Sequence, residues 1–190
     1  MTEPKYDIKA IKKELIDNGF VIIKDMLNKE ELKKALELFH KWKGSIPNLD
    51  KIHNKVDPHG IYKHHQVGHQ EYAWYIRTRP TIINFYKKLW NTDELSVSFD
   101  GACYIPKDYA KQDNIWTHTD QAPNSKGLKC YQGFVALTTN KERTLRVYKK
   151  SHLLHEKYFK EKNIVSSKNW QLIDKDYLET IKENKCTLEI

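Results

Sequence analysis

The spacing of apolar residues changes near Leu95, and that change limits the fold more than any other feature. Up to about residue 92 apolar side chains recur every three or four positions, whereas from Leu95 they alternate. Ile8, Ile11, Leu15 and Ile16 form one helical stripe, and Asn18-Gly19 stops it as a helix C-terminus should. Phe20–Ile23 reads as a short strand rich in β-branched residues. Asn28 is placed to cap a second helix carrying Leu32, Ala35, Leu36 and Phe39, which Gly44 and Pro47 end. Residues 45–68 are irregular, punctuated by Pro47, Pro58, Gly60 and Gly68. Helices are predicted again over Gln70–Arg77 and, with Pro80 in the first turn, over Thr81–Trp90.

Beyond that point Ser96, Ser98, Asp100 and Tyr104 share one face of a predicted strand, and Val97, Phe99, Cys103 and Ile105 the other. Further strands are predicted at Asn114–Asp120, Tyr131–Thr138 and Thr144–Tyr148, the last two joined by a turn at residues 140–143. Helices at His152–Lys162 and Asp174–Glu183 and a strand at Cys186–Ile190 complete the pattern. Helices first and strands later indicate an α+β chain built on an antiparallel sheet or barrel. No repeat or linker divides it, so one domain is expected over 1–190. Residues 1–92 would form a helical opening and buttress, and 93–190 a β-barrel portion with a helical insert.

Composition narrows the function. With 190 residues, 39% of them hydrophobic, and five Trp, eleven Tyr and six Phe, the chain has the bulk for a core and is not a disordered segment. The formal charge of +8 comes from Lys, since the only arginines are Arg77, Arg79, Arg143 and Arg146. The lysines lie in mixed-sign stretches such as Lys29-Glu30-Glu31-Leu32-Lys33-Lys34, the pattern of a solvated helix face rather than a nucleic-acid footprint. Cys103, Cys130 and Cys186 are odd in number and widely spaced, and read as reduced core thiols of an intracellular compartment. No stretch reaches the roughly 18–20 apolar residues of a membrane span, and Met1–Lys13 is polar, so a soluble, unexported, cytoplasmic protein is expected.

The sharpest chemical feature is Trp116-Thr117-His118-Thr119-Asp120. On a strand, residues i and i+2 project from one face, so His118 and Asp120 converge while Thr119 turns away. One imidazole and one carboxylate are two thirds of the 2-His-1-carboxylate triad of non-haem Fe(II) oxygenases. The spacing alone decides little, because nine His and twelve Asp in this length give about half an occurrence by chance. An edge strand with an exposed His and Asp is the plainer reading. A second pair, His69 and Glu71, falls at a helix start where i and i+2 face apart, and His64, His65 and His69 lie in a glycine-flanked loop without a cysteine pair. A surface or pocket-lining role suits them better than zinc.

Order along the chain adds to that motif. Residues 15–32, Leu-Ile-Asp-Asn-Gly-Phe-Val-Ile-Ile-Lys-Asp-Met-Leu-Asn-Lys-Glu-Glu-Leu, resemble the opening of the phytanoyl-CoA dioxygenase family of Fe(II)/2-oxoglutarate oxygenases. The resemblance continues through Ser96–Tyr104, through Trp116–Asp120, and through Thr144-Leu145-Arg146-Val147-Tyr148-Lys149-Lys150-Ser151-His152. That last run is similar to the family's Gly-x-Leu-x-Val-x-Pro-Gly-Ser-His segment. The resemblance implies a double-stranded β-helix (a cupin-like jelly roll), His118 and Asp120 as metal ligands, a second His near the C-terminus, and an Arg after it that forks onto 2-oxoglutarate. It also implies O2 and a small-molecule substrate, with acyl-CoA thioesters, metabolites and amino-acid derivatives all within the family's range.

The sequence departs from that pattern after Asp120. The only later histidines are His152 and His155, and no Arg follows Arg146. About six strands are predicted where a jelly roll has eight, so the barrel is expected to be incomplete at its C-terminal end. Three explanations stand side by side: a truncated or split enzyme, a degenerate member with another role, or His152 or His155 as the third ligand. Asp100 and Tyr104 are candidates to line the cofactor pocket. Trp116 and Gln121 flank the motif as packing and orienting groups, and Arg146 and Lys149 are candidate anion partners. Two other classes stay open: an inactive scaffold acting as an interaction protein, whose open sheet edge invites a completing segment or a second copy, and a nucleic-acid-acting oxygenase using the positive charge.

Overall fold

The computed structural model describes residues 6–51, 59–97, 101–106, 116–141 and 144–188. They sort into two compact units, one of residues 1–12 with 22–114 and one of residues 13–21 with 115–190.

The first unit is organised by α2 (Lys29–Gly44). Its start is fixed by a reciprocal cap: the Asn28 side chain accepts from the Glu31 amide at 2.9 Å, and the Glu31 carboxylate accepts from the Asn28 amide at 3.0 Å. Glu30 and Glu31 in the first turn and Lys41 and Lys43 in the last complement the helix dipole. The helix buries Ala35, Leu38, Phe39 and Trp42, so of the expected stripe Ala35 and Phe39 are buried while Leu32 and Leu36 are only half-buried. Phe39 meets Tyr72 of α3 (Glu71–Arg77) edge-on with centroids 5.3 Å apart, and Trp42 meets Tyr62 at 5.4 Å. Tyr62 lies on β1 (Ile61–Tyr62), which pairs antiparallel with β2 (Ala102–Cys103), Ile61 opposite Cys103. The Tyr62 hydroxyl donates to Asp50 at 3.0 Å, and Lys43 reaches the other oxygen of that carboxylate at 2.7 Å. Burial and the carboxylate together push the Tyr62 phenol well above its ordinary range. α4 (Pro80–Trp90) starts on its proline and ends at Asn91 in the left-handed region.

The second unit holds the last residues of α1 (Ile8–Asn18) together with the chain from residue 115. Here β3 (His118–Thr119) pairs antiparallel with β5 (Gln171–Leu172), and β4 (Arg146–Tyr148) with β6 (Lys185–Thr187). α5 (His155–Glu161) buries Tyr158 and Phe159, and the Tyr158 ring lies 4.4 Å from Tyr177 of α6 (Lys175–Thr180). The Tyr158 hydroxyl accepts from the Asp174 amide at 3.1 Å, which ties the start of α6 to α5.

Several sequence expectations are corrected. Phe20–Ile23 has no ladder partner among the described residues, because a β-branched run encodes extension but not a neighbour. Tyr131–Thr138 likewise forms no ladder, and Phe134 is half exposed. The long polar strand contracts to β2, with Ser98–Asp100 outside the described residues. The helix expected from His152 begins as a 3-10 turn over Ser151–Leu154 before α5. Cys103 and Cys130 are exposed and Cys186 half-buried, so these free thiols are not core residues. The described strands form three separate two-stranded ladders and close no barrel. No helix among the described residues is long and apolar enough to cross a membrane.

Candidate metal centre

The His118 and Asp120 side chains meet, as alternation along an extended segment requires. His118 Nε2 lies 3.5 Å from Asp120 Oδ1. The segment is held by the β3–β5 ladder, with His118 opposite Leu172 and Thr119 opposite Gln171, and by the Ile173 amide donating to the Thr117 carbonyl at 2.9 Å. Trp116 and Trp170 lie against the imidazole, with ring centroids 4.5 and 5.4 Å from it. The His118 side chain is 20% exposed and that of Asp120 50%.

The hydrogen bonding around His118 defines what the pair can do. Nδ1 sits 2.8 Å from the Trp116 carbonyl oxygen. A carbonyl only accepts, so Nδ1–H donates to it and Nε2 is the nitrogen on the side of the Asp120 carboxylate. Where Nε2 carries no proton, two acceptors at that distance repel. A proton on Nε2 relieves the repulsion, and so does a cation bound by both. Cis donors each about 2.1 Å from one ion stand about 3 Å apart, so a small side-chain rotation brings this pair to ligating distance. Backbone fixation of the remote nitrogen is also how metal-binding histidines are commonly oriented. The two residues therefore fit two protein positions of a non-haem iron site.

No third partner completes the set: among the described residues no group of three His, Cys, Asp or Glu side chains converges. His152 is committed elsewhere. Its Nε2–H donates to the Ile16 carbonyl at 2.8 Å, its ring packs on Gly19, and the Lys150 amide donates to the Asn18 carbonyl at 2.9 Å. His155 approaches the loop after the motif and uses Nε2–H on the Gln121 carbonyl at 3.2 Å, while its Nδ1 is buried without a partner. Gln121 in turn donates through its side-chain amide to the Ser125 and Gly127 carbonyls at 2.9 and 3.0 Å, which shapes that loop.

The other candidates disperse. Asp100 lies outside the described residues. Tyr104 belongs to the aromatic cluster of the first unit, 5.8 Å from Phe39 with the Lys43 ammonium 4.6 Å over its ring. His69 ends a 3-10 turn and Glu71 opens α3, where its carboxylate faces Lys41 at 3.4 Å. Arg146 lies on β4 opposite Thr187, and the exposed Lys149 donates its amide to the Asn184 carbonyl at 2.7 Å. No Arg follows Arg146 in the sequence. Sequence reasoning missed Trp170 and Leu172; the alternation over Trp170-Gln171-Leu172 was the signal, too short to stand out.

No family model and no solved structure matches the chain. It is similar to the Ava biosynthesis cluster protein O of Aspergillus versicolor, 36% identical over 92 residues. That stretch is 46% of this chain and spans only 29% of the relative's length.

Proposed function

We propose that this chain carries the metal-binding part of a non-haem Fe(II)/2-oxoglutarate-dependent dioxygenase, a hydroxylase of the phytanoyl-CoA dioxygenase type with a jelly-roll ancestry. One observation carries the reading: His118 lies with Nδ1 2.8 Å from the Trp116 carbonyl oxygen and Nε2 3.5 Å from Asp120 Oδ1, so an imidazole and a carboxylate converge on one point. His118 and Asp120 would hold the iron, which with 2-oxoglutarate and O2 would supply the oxidising power for C–H hydroxylation. The chain's own part is orientation. The ladder to β5 fixes the strand, the two indoles limit rotation of the imidazole, and the Asp120 carboxylate offsets the charge of a divalent ion.

A second reading, an inactive oxygenase scaffold used for interaction, draws on the absence of a third convergent donor among the described residues. Anaerobic titration with Fe(II) and 2-oxoglutarate, following the metal-to-ligand charge-transfer absorption, separates the two. The oxygenase reading expects a saturable band that Asp120→Ala abolishes. A folded protein that gives no band contradicts it and leaves the scaffold.

A further inference from the structure

Unlike the lysines, which lie in mixed-sign stretches, the two arginines of the first unit stand together, Arg77 as the last residue of α3 and Arg79 two positions on. Each is stacked on a ring of that helix. The Arg77 guanidinium carbon lies 5.0 Å from the centre of the Trp74 ring, and that of Arg79 3.9 Å from the centre of the Tyr75 ring. Backbone carbonyls fix both groups, Gly68 accepting from Arg77 Nη1 at 2.7 Å and Tyr75 from Arg79 Nε at 2.8 Å. The terminal nitrogens of Arg79 make no hydrogen bond among the described residues, and neither is buried. Trp74 is still 43% exposed, with the exposed His69 imidazole 6.3 Å from its ring. From His59 to Arg79 the only acidic residue is Glu71, and its carboxylate faces Lys41 at 3.4 Å.

We propose that this face of α3 binds single-stranded nucleic acid, with a base stacked on the Trp74 indole and the phosphate backbone met by Arg79. It uses residues of the first unit alone and is independent of the metal centre. Stacking on a ring engages the flat side of a guanidinium and leaves its N–H edge for a phosphate, so Arg79 is held in the orientation that phosphate recognition needs. Arg77 adds positive charge on the other side of Trp74. An exposed indole offers a π-face to any base, and an aromatic platform bordered by cations is the composition of single-strand sites. The chain's net charge of +8 favours a polyanion in the same sense. A duplex keeps its base faces inside, and an acidic peptide meets the arginines but leaves the indole unused, so the pairing of ring and cation selects the single strand.

The test is fluorescence anisotropy of the full chain with a labelled, mixed-sequence single-stranded RNA of about twelve nucleotides. The same sequence as a duplex and polyglutamate, a polyanion without bases, serve as comparisons. Expected are saturable binding of the single strand, weaker binding of the duplex, poor competition by polyglutamate, and affinity that falls as salt rises. Trp74→Ala should lose about tenfold in affinity. Trp74→Phe, which keeps a ring, should lose less than about threefold, and this contrast guards against simple misfolding of the alanine variant. Arg79→Gln should weaken binding and make the plot of log affinity against log salt shallower by about 0.7, the share of one phosphate contact on a single strand. A folded wild-type protein without saturable binding, or binding that Trp74→Ala leaves unchanged, overturns the proposal. A duplex bound as tightly as the single strand, or displacement by polyglutamate as effective as by unlabelled RNA, means that charge alone draws the ligand and overturns it as well.

Discussion

At Gly19 the backbone enters the left-handed region, with φ at +85°, directly beneath the His152 imidazole. A methyl group there meets backbone strain and the ring together, so Gly19→Ala should destabilise the protein by about 1–2 kcal/mol or more. Removing the ring removes only the second cost. In chemical denaturation, the loss from Gly19→Ala should be smaller in a His152→Ala background than in wild type; additive losses would mean that the two groups do not meet. Tyr62 makes a second prediction. Because burial and Asp50 raise its phenol, the stabilisation is fully present below the ordinary tyrosine pKa near 10 and is lost as pH rises through the folded value. Tyr62→Phe should lower stability at neutral pH by about 1 kcal/mol and flatten the alkaline limb of a stability–pH curve. The same side-chain detail governs what was readable at the site. Alternation alone placed His118 and Asp120 on one face, but no pattern announces that the His152 ring serves the end of α1.

Among the elements, α2 was the most legible, because an Asn28 cap, Glu31 three positions on and a continuous apolar stripe all point to the same start and face. Asn28→Ala should cost about 1 kcal/mol in thermal or denaturant unfolding, and an unchanged midpoint would show that the reciprocal cap contributes nothing. α6 begins at Asp174, whose carboxyl is held below its ordinary range by the Lys162 ammonium at 2.8 Å. A depressed carboxyl stabilises above its unfolded pKa and loses that contribution as pH falls through the folded one. Asp174→Asn should therefore reduce the slope of stability between about pH 4 and pH 2, with little change above pH 6. The strands were the least legible elements. A two-residue ladder such as β1 or β5 is fixed by its partner across the sheet, and a window of alternating residues carries no record of that partner. For that reason Tyr131–Thr138, with its apolar run Phe134–Leu137, forms no ladder among the described residues, while Gln171–Leu172 pairs with the motif strand.

At the scale of the whole molecule, helices and short antiparallel ladders occur together as an α+β pattern suggests, but the ladders are two or three residues long and one begins in the half read as helical. The sequence does not spell out how the candidates divide in space. Tyr104 joins the aromatic cluster of the first unit, and Trp170 joins His118 from more than fifty residues away along the chain, a distance over which no local pattern carries information. The proposed metal centre rests on the approach of His118 Nε2 to Asp120 Oδ1 at 3.5 Å, which a proton on Nε2 or a cation bound by both would satisfy. Electron paramagnetic resonance of Mn(II) titrated with the protein tests for such a cation directly. The free-ion signal should fall with a saturable stoichiometry of one ion per chain, and both Asp120→Ala and His118→Ala should restore it. Binding that survives both substitutions, or a folded wild-type protein that leaves the free-ion signal untouched, would contradict a metal centre at this pair.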